Sequence, residues 1–322
     1  MFRRKFIGLG ATLAGLGTLP TTWAQAWPAR PIKLIVPFIP GSAPDVIARG
    51  LSERLTIALG QTVVIDNKPG AGGNIGLDAI AKSAGDGYTL GLGTSSLSIN
   101  PHLYRKVPFD PVNDFTPVNL TYAMPHALIV QADSPLKTVS DLVRTLKAEP
   151  GKYNYASGGN GSGAHLCAEL FKAMAGVDAL HVPYRGAPEI ITSVMGGSAL
   201  FGFPTLSTAV PLVKGGKIRA LGVTGPKRNA ALPEVPPVGD TVQGFEVVSW
   251  FGVMAPAKFP VELARRIDQE IQKALADPAF RDKVQADGTE IVGLGHQAFP
   301  DYLRQDLQKW KRAVELSGAK VD

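Results

Sequence analysis

Apolar and polar positions along the chain fall into two series in which strand and helix patterns alternate. Ile32 to Phe38 is a nearly continuous apolar run, with Pro37 and Pro40 at its end, as in a parallel strand buried on both faces. Over 44–59, Val46, Ile47, Leu51, Leu55 and Leu59 recur at helical spacing. Strand patterns follow at 61–65 and 88–92, with a helix over 75–81 between them that Gly85-Asp86-Gly87 stops. Residues 100–118, with Pro101, Pro108, Pro111 and Pro117, read as irregular, and an extended run over 118–130 breaks at Pro125. The second series predicts helices over 139–147, 165–175, 187–195 and 206–213, with strands at 153–156, 180–182, 200–203 and 218–223 between and after them. A strand over 247–255, a helix over 261–276 and a helix over 299–314 close the pattern. This alternation predicts an α/β fold, each lobe a mostly parallel sheet flanked by helices. Extended stretches between the series predict two crossing segments, with 27–123 plus 225–322 as lobe 1 and 124–224 as lobe 2.

The N-terminus stands apart. Arg3-Arg4-Lys5 precedes an apolar, Gly-rich stretch to Leu19 and an A-x-A signal, Ala24-Gln25-Ala26. Residues 1–26 therefore read as a signal peptide cleaved near Ala26, and the mature chain as an exported protein. Arg3-Arg4 also fits a twin-arginine signal, so the export route stays open. The apolar stretch is too short to span a bilayer, and no later one approaches about 20 apolar residues. Cleavage removes three basic residues and no acidic one, which lowers the net charge from +6 to +3. That balance gives no footprint for nucleic acid; Lys309, Lys311 and Arg312 sit on a helix face beside Trp310. The single cysteine, Cys167, has no partner for an internal disulfide.

The most informative stretch is Ala156 to His165, small and polar residues between a strand and a helix. Such a junction leaves backbone N–H groups bare at the positive end of a helix and favours an anion. Gly159 to Ala164 also fits G-x-G-x-x-A, but an exported chain with one such unit gives little support for a dinucleotide. No G-x-S-x-G elbow occurs, and Ser162 and His165 have no acid nearby to orient a base. The five histidines show no metal-ligand spacing, so neither cofactor, metal nor catalysis is expected. Three more junctions repeat the pattern: Phe38 to Asp45, Thr94-Ser95-Ser96, and Pro183 to Gly186.

On these residues the chain resembles the Bug family, the periplasmic solute receptors of tripartite tricarboxylate transporters. The matching runs include Val36-Pro37-Phe38, Asp45-Val46-Ile47-Ala48-Arg49 and Asn67 through Gly76. Asp86-Gly87-Tyr88-Thr89-Leu90, Asp114-Phe115-Thr116-Pro117 and His181 through Gly186 continue the match. The resemblance implies a two-lobed type II periplasmic-binding fold that closes on a small organic carboxylate. It also implies delivery to membrane permease subunits, action as a monomer, and no chemistry on the ligand. Carried over residue by residue, the first-lobe contacts are Phe38, Ile39, Gly41, Ser42, Ala43, Asp45 and Ser95. Those of the second lobe are Ser157, Asn160, Gly161, Ser162 and His165, with Tyr184, Arg185, Gly186 and Phe203 lining the cleft. Two departures stand out. Ser42-Ala43-Pro44 replaces the family's Gly-Gly-hydroxyl run, and Leu200-Phe201-Gly202-Phe203-Pro204 stands where acids are usual. The second departure implies an aromatic or partly apolar carboxylate. An enzyme such as a hydrolase on this fold, or a ligand-sensing partner of a membrane sensor kinase, are the competing readings.

Overall fold

A computed structural model describes residues 27–321; the signal-peptide reading of 1–26 lies outside them. The first lobe starts with β1 (Ile32–Val36), α1 (Ala43–Leu59), β2 (Val63–Asn67), α2 (Asn74–Ala81) and β3 (Thr89–Thr94). It continues with α3 (Ser96–Leu103) and β4 (Phe115–Pro125). The second lobe runs through β5 (Ala127–Gln131), α4 (Val139–Ala148), β6 (Asn154–Ser157), α5 (Gly163–Ala175) and β7 (Leu180–Pro183). Then come α6 (Ala187–Met195), β8 (Phe201–Gly202), α7 (Leu206–Lys214) and β9 (Ile218–Val223). The chain returns through β10 (Val248–Pro256) and ends with α8 (Val261–Ala276), α9 (Pro278–Gln285), β11 (Glu290–Gly295) and α10 (Phe299–Ser317).

One sheet has the order β11-β4-β10-β3-β1-β2 and the other β7-β6-β8-β5-β9. Both are mixed, which corrects the expectation of mostly parallel sheets. β1 pairs in parallel with β2 and β3, but β10 lies antiparallel to both β3 and β4. The return crossing is the cause: β10 re-enters the first sheet from the second lobe and so runs against its neighbours. In the second sheet β5, which has just crossed, is likewise antiparallel to β8 and β9.

The strand–helix alternation follows the apolar pattern closely, with two differences. Residues 96–103 form a helix despite Pro101, because Leu97, Ile99 and Leu103 are buried and packing overrides the lost N–H. α9 and β11 had no clear signal; β11 is a half-exposed strand with a register shift against β4, and its alternation is broken by Gly293. Ile99 and Leu103 of α3 and Trp310 and Val314 of α10 share one core cluster with Leu166 and Phe171 of α5. The two sheets are thus joined behind the cleft by helix packing as well as by the crossings. At the crossings, His126 N donates to Thr224 Oγ1 (2.7 Å), and Thr224 N donates back to the His126 carbonyl (2.9 Å). Thr224 Oγ1 in turn donates to the Val247 carbonyl (2.5 Å), so the two crossing segments are stitched together.

Two helix glycines separate propensity from packing. A Cβ on Gly76 would lie 2.6 Å from Pro37 Cα and 2.9 Å from the Lys68 carbonyl, both backbone. A Cβ on Gly50 would meet only Phe280 Cε2, at 3.7 Å. Alanine gains up to about 1 kcal/mol in a helix interior, whereas overpacking costs about 1–3 kcal/mol. Gly50→Ala should therefore raise the melting temperature and Gly76→Ala lower it; two shifts of the same sign in thermal unfolding would contradict this packing.

Candidate functional site

Between the sheets lies a cleft with a narrow inner chamber of about 80 Å³ and an outer mouth of about 530 Å³. Phe38 and Gly158 line both and form the neck. The inner chamber is made from helix starts. Ser42, Ala43 and Pro44 come from α1, Ser95 and Ser96 from α3, and Ser162, Gly163 and Ala164 from α5. Gly186 and Ala187 begin α6, and Thr205 caps α7. Five helix N-termini thus converge from both lobes, each with the partial positive charge of a helix start. Among the described residues, no Asp, Glu, Lys or Arg lines this chamber. Its apolar lining includes Phe38, Ile190, Pro204 and Phe251.

Two crossing residues complete the floor. His126 is buried, with Nδ1 2.8 Å from the Phe203 carbonyl and Nε2 2.8 Å from Ser249 Oγ. Burial holds its pKa down to about 4, so the ring is neutral at ordinary pH. A Cβ on Gly163 would sit 2.5 Å from Ser249 Oγ and 3.1 Å from His126 Nε2. Only glycine lets the start of α5 approach this pair so closely.

The expected site residues divide into three groups. Phe38, Ser42, Ala43, Ser95, Ser162 and Gly186 line the inner chamber. Ile39, Asn160, Tyr184 and Arg185 line the mouth, where Arg185 is exposed. Gly41, Asp45, Ser157, Gly161, His165 and Phe203 line neither.

The last group supports the loops rather than facing the cleft, and each placement has a physical reason. The Asp45 carboxylate accepts from Gly41 N, Arg49 Nε and Nη2, and Asn67 Nδ2, at 2.9–3.1 Å. Burial acts to raise its pKa, but these hydrogen bonds outweigh that and hold it below the usual carboxylate value. It braces the β1–α1 loop by joining it to β2. Ser157 Oγ accepts from Gly159 N (3.1 Å) and lies 2.6 Å from His181 Nε2. His165 accepts from Gly161 N at Nδ1 (3.3 Å) and stacks on His181, which stacks on Tyr155. Burial, and then the neighbouring His181 and Lys172 charges, push the His165 pKa down to about 3. This neutral stack is a platform beneath the 158–162 loop.

Phe203 requires the clearest correction. With Phe201 it faces Phe171 and Phe245 in the core, so the aromatic segment does not wall the cleft. Only Pro204 from that segment reaches the chamber. An apolar wall exists, but Phe38, Ile190 and Phe251 supply it.

Sequence reasoning missed Thr205, although Pro204-Thr205 ahead of α7 repeats the strand-to-helix signal. His126, Ser249 and Phe251 had no local signal, since crossing topology brings them together. Among the described residues no group of three or more His, Cys, Asp or Glu is placed to hold a metal ion.

The comparisons with known proteins bear on the family and the fold. The tripartite tricarboxylate transporter family receptor model matches residues 47–318. BugT of Bordetella pertussis is 33% identical over 316 residues, 97% of each chain. The solved structure of Rpa4515 from R. palustris with adipate is 33% identical with a TM-score of 0.88, covering 92% of this chain and 100% of that one. MatC from Rhodopseudomonas palustris with bound malate is 26% identical with a TM-score of 0.82, covering 89% and 100%. The resemblance read from the motifs holds over nearly the whole described chain, which therefore belongs to the tripartite tricarboxylate transporter receptor family.

Proposed function

We propose that the protein is a periplasmic receptor that closes on a small organic carboxylate and passes it unchanged to the permease of a tripartite tricarboxylate-type transporter. One observation carries this reading: five helix N-termini meet in a chamber lined by no charged side chain. Relatives solved with adipate and with malate support the ligand class. The ligand's carboxylate sits between Ser95 and Ser162, its carbon skeleton against Phe38, Ile190 and Phe251. The units that close on it are 27–123 with 225–322, and 124–224, and the working form is a monomer exported by the cleaved 1–26 segment.

Of the serine–histidine contacts, the His126–Ser249 pair lines the chamber and so favours an enzyme, since a serine bound to a histidine is how a nucleophile is activated. Its third member is wrong for that role. Nδ1 faces a neutral carbonyl, which cannot stabilise an imidazolium as a carboxylate does, and burial opposes protonation. Transport without turnover fits better.

Ser162 has two duties, and they can be separated. Its Oγ accepts from His165 N (3.3 Å) as the cap of α5, and it lines the chamber. Ser162→Ala should lose about 1 kcal/mol of stability with the cap. Ser162→Gly keeps the cap to within a few tenths and removes only the hydroxyl. Both should weaken carboxylate binding by about 1–3 kcal/mol in calorimetry. Unchanged affinity in Ser162→Gly would remove the hydroxyl from the site.

The affinity should also be flat between about pH 5.5 and 8.5, because His126 stays neutral throughout and no other titratable group lines the chamber. Below about pH 5 the ligand's carboxylate gains a proton and binding falls. A tenfold gain in affinity between about pH 8 and 6 would mean that an imidazolium holds the anion.

A further inference from the structure

The hydroxyls of the inner chamber are not equivalent, because each has one hydrogen and most of those hydrogens are already engaged. The Phe203 carbonyl can only accept, so the hydrogen of the neutral His126 ring is on Nδ1. Nε2 then holds a lone pair, and its 2.8 Å contact with Ser249 Oγ is a bond only if Ser249 donates. Ser249 therefore turns lone pairs, and no hydrogen, toward the chamber. Ser42 is similar, since its Oγ donates to the Ile39 carbonyl at 2.6 Å.

Ser95 and Ser162 have the opposite polarity. Ser95 Oγ accepts from Trp250 N (2.9 Å) and Ser162 Oγ accepts from His165 N, which leaves both hydroxyl hydrogens free to donate. The chamber thus offers donors at Ser95, Ser162 and the helix starts, and acceptors at Ser42 beside the α1 start and at Ser249 on the floor. A bare carboxylate satisfies the donors and has no hydrogen for the acceptors. Ser249 is buried and lies directly against the first turn of α5, as the crowding at Gly163 shows. In a chamber of about 80 Å³ a group that meets Ser249 is only a few atoms from one held by Ser162.

We propose that Ser249 is a specificity-determining residue that selects a hydroxycarboxylate, accepting a hydrogen bond from a ligand hydroxyl set close to the carboxylate. His126 is the positioning residue: it fixes the Ser249 hydroxyl as an acceptor and does not touch the ligand hydroxyl. The inference deepens the carboxylate reading and rests on it.

The test is calorimetry on the mature chain with ligands that differ only at one carbon: malate, succinate and oxaloacetate, then 3-hydroxybutyrate and butyrate. The wild-type protein should prefer the hydroxyl member of a set by about tenfold or more. Ser249→Ala should bring the members of that set within about twofold, the hydroxyl member losing the most affinity. His126→Phe removes the acceptor, freeing the Ser249 hydrogen to donate, and should shift preference from the hydroxy to the keto member. A merely structural role for His126 would lower all affinities together. Should His126→Phe fail to fold, Ser249→Ala decides the matter alone. Equal wild-type affinity for hydroxy and deoxy members, as when a water occupies the acceptor, would overturn the inference and leave the carboxylate reading standing. No binding by any member of either set would overturn the inference, and no binding by adipate as well would overturn the carboxylate reading with it.

Discussion

Holding a negative charge in a chamber without a cationic side chain is the constraint on which this structure depends. One helix N-terminus contributes about 0.3–2 kcal/mol to an anion, while micromolar affinity needs about 8 kcal/mol. A single loop cannot supply that, but several helix starts and hydroxyls can if they converge. The fold meets the requirement by placing the loops that precede α1, α3, α5, α6 and α7 around one small space. Fixed dipoles also need no counter-charge when the cleft is empty, whereas a buried lysine or arginine would need a partner or lose its proton.

Convergence demands rigid loops, and the polar residues outside the chamber provide it. Asp45 ties the β1–α1 loop to β2 and to Arg49. The His165–His181–Tyr155 stack supports the 158–162 loop, with Glu169 accepting from Tyr155 and Lys172. Thr224 and His126 lock the crossing segments beneath both. These groups are costly to bury, and apart from His126 they line neither the chamber nor the mouth; their work is to hold backbone N–H groups in place for the ligand.

Much of this was legible in the sequence, for local reasons. Helix starts advertise themselves through small and polar caps, so Ser42, Ser95, Ser162 and Gly186 could be found one junction at a time. Direction was not legible. Asp45, Ser157 and His165 are the right residue types in the right loops, but they turn away from the cleft to brace it. The Phe201–Phe203 segment shows the same limit, since alternation says which residues share a face and not which face meets the cleft. Ser249 and His126 are 123 residues apart and belong to crossing segments, so no local pattern could join them. The departure at Pro44 takes on a definite meaning: proline sits at the α1 start, where it lines the chamber and offers no N–H.

The central claim is that uncharged donors from both lobes hold the carboxylate. A crystal structure of the mature protein with its bound carboxylate tests it most directly. The account predicts the carboxylate oxygens in the inner chamber, within hydrogen-bonding distance of the Ser95 and Ser162 hydroxyls and the first-turn N–H groups of α3 and α5, with no basic side chain in contact. A carboxylate lying in the mouth and paired with Arg185 would contradict it.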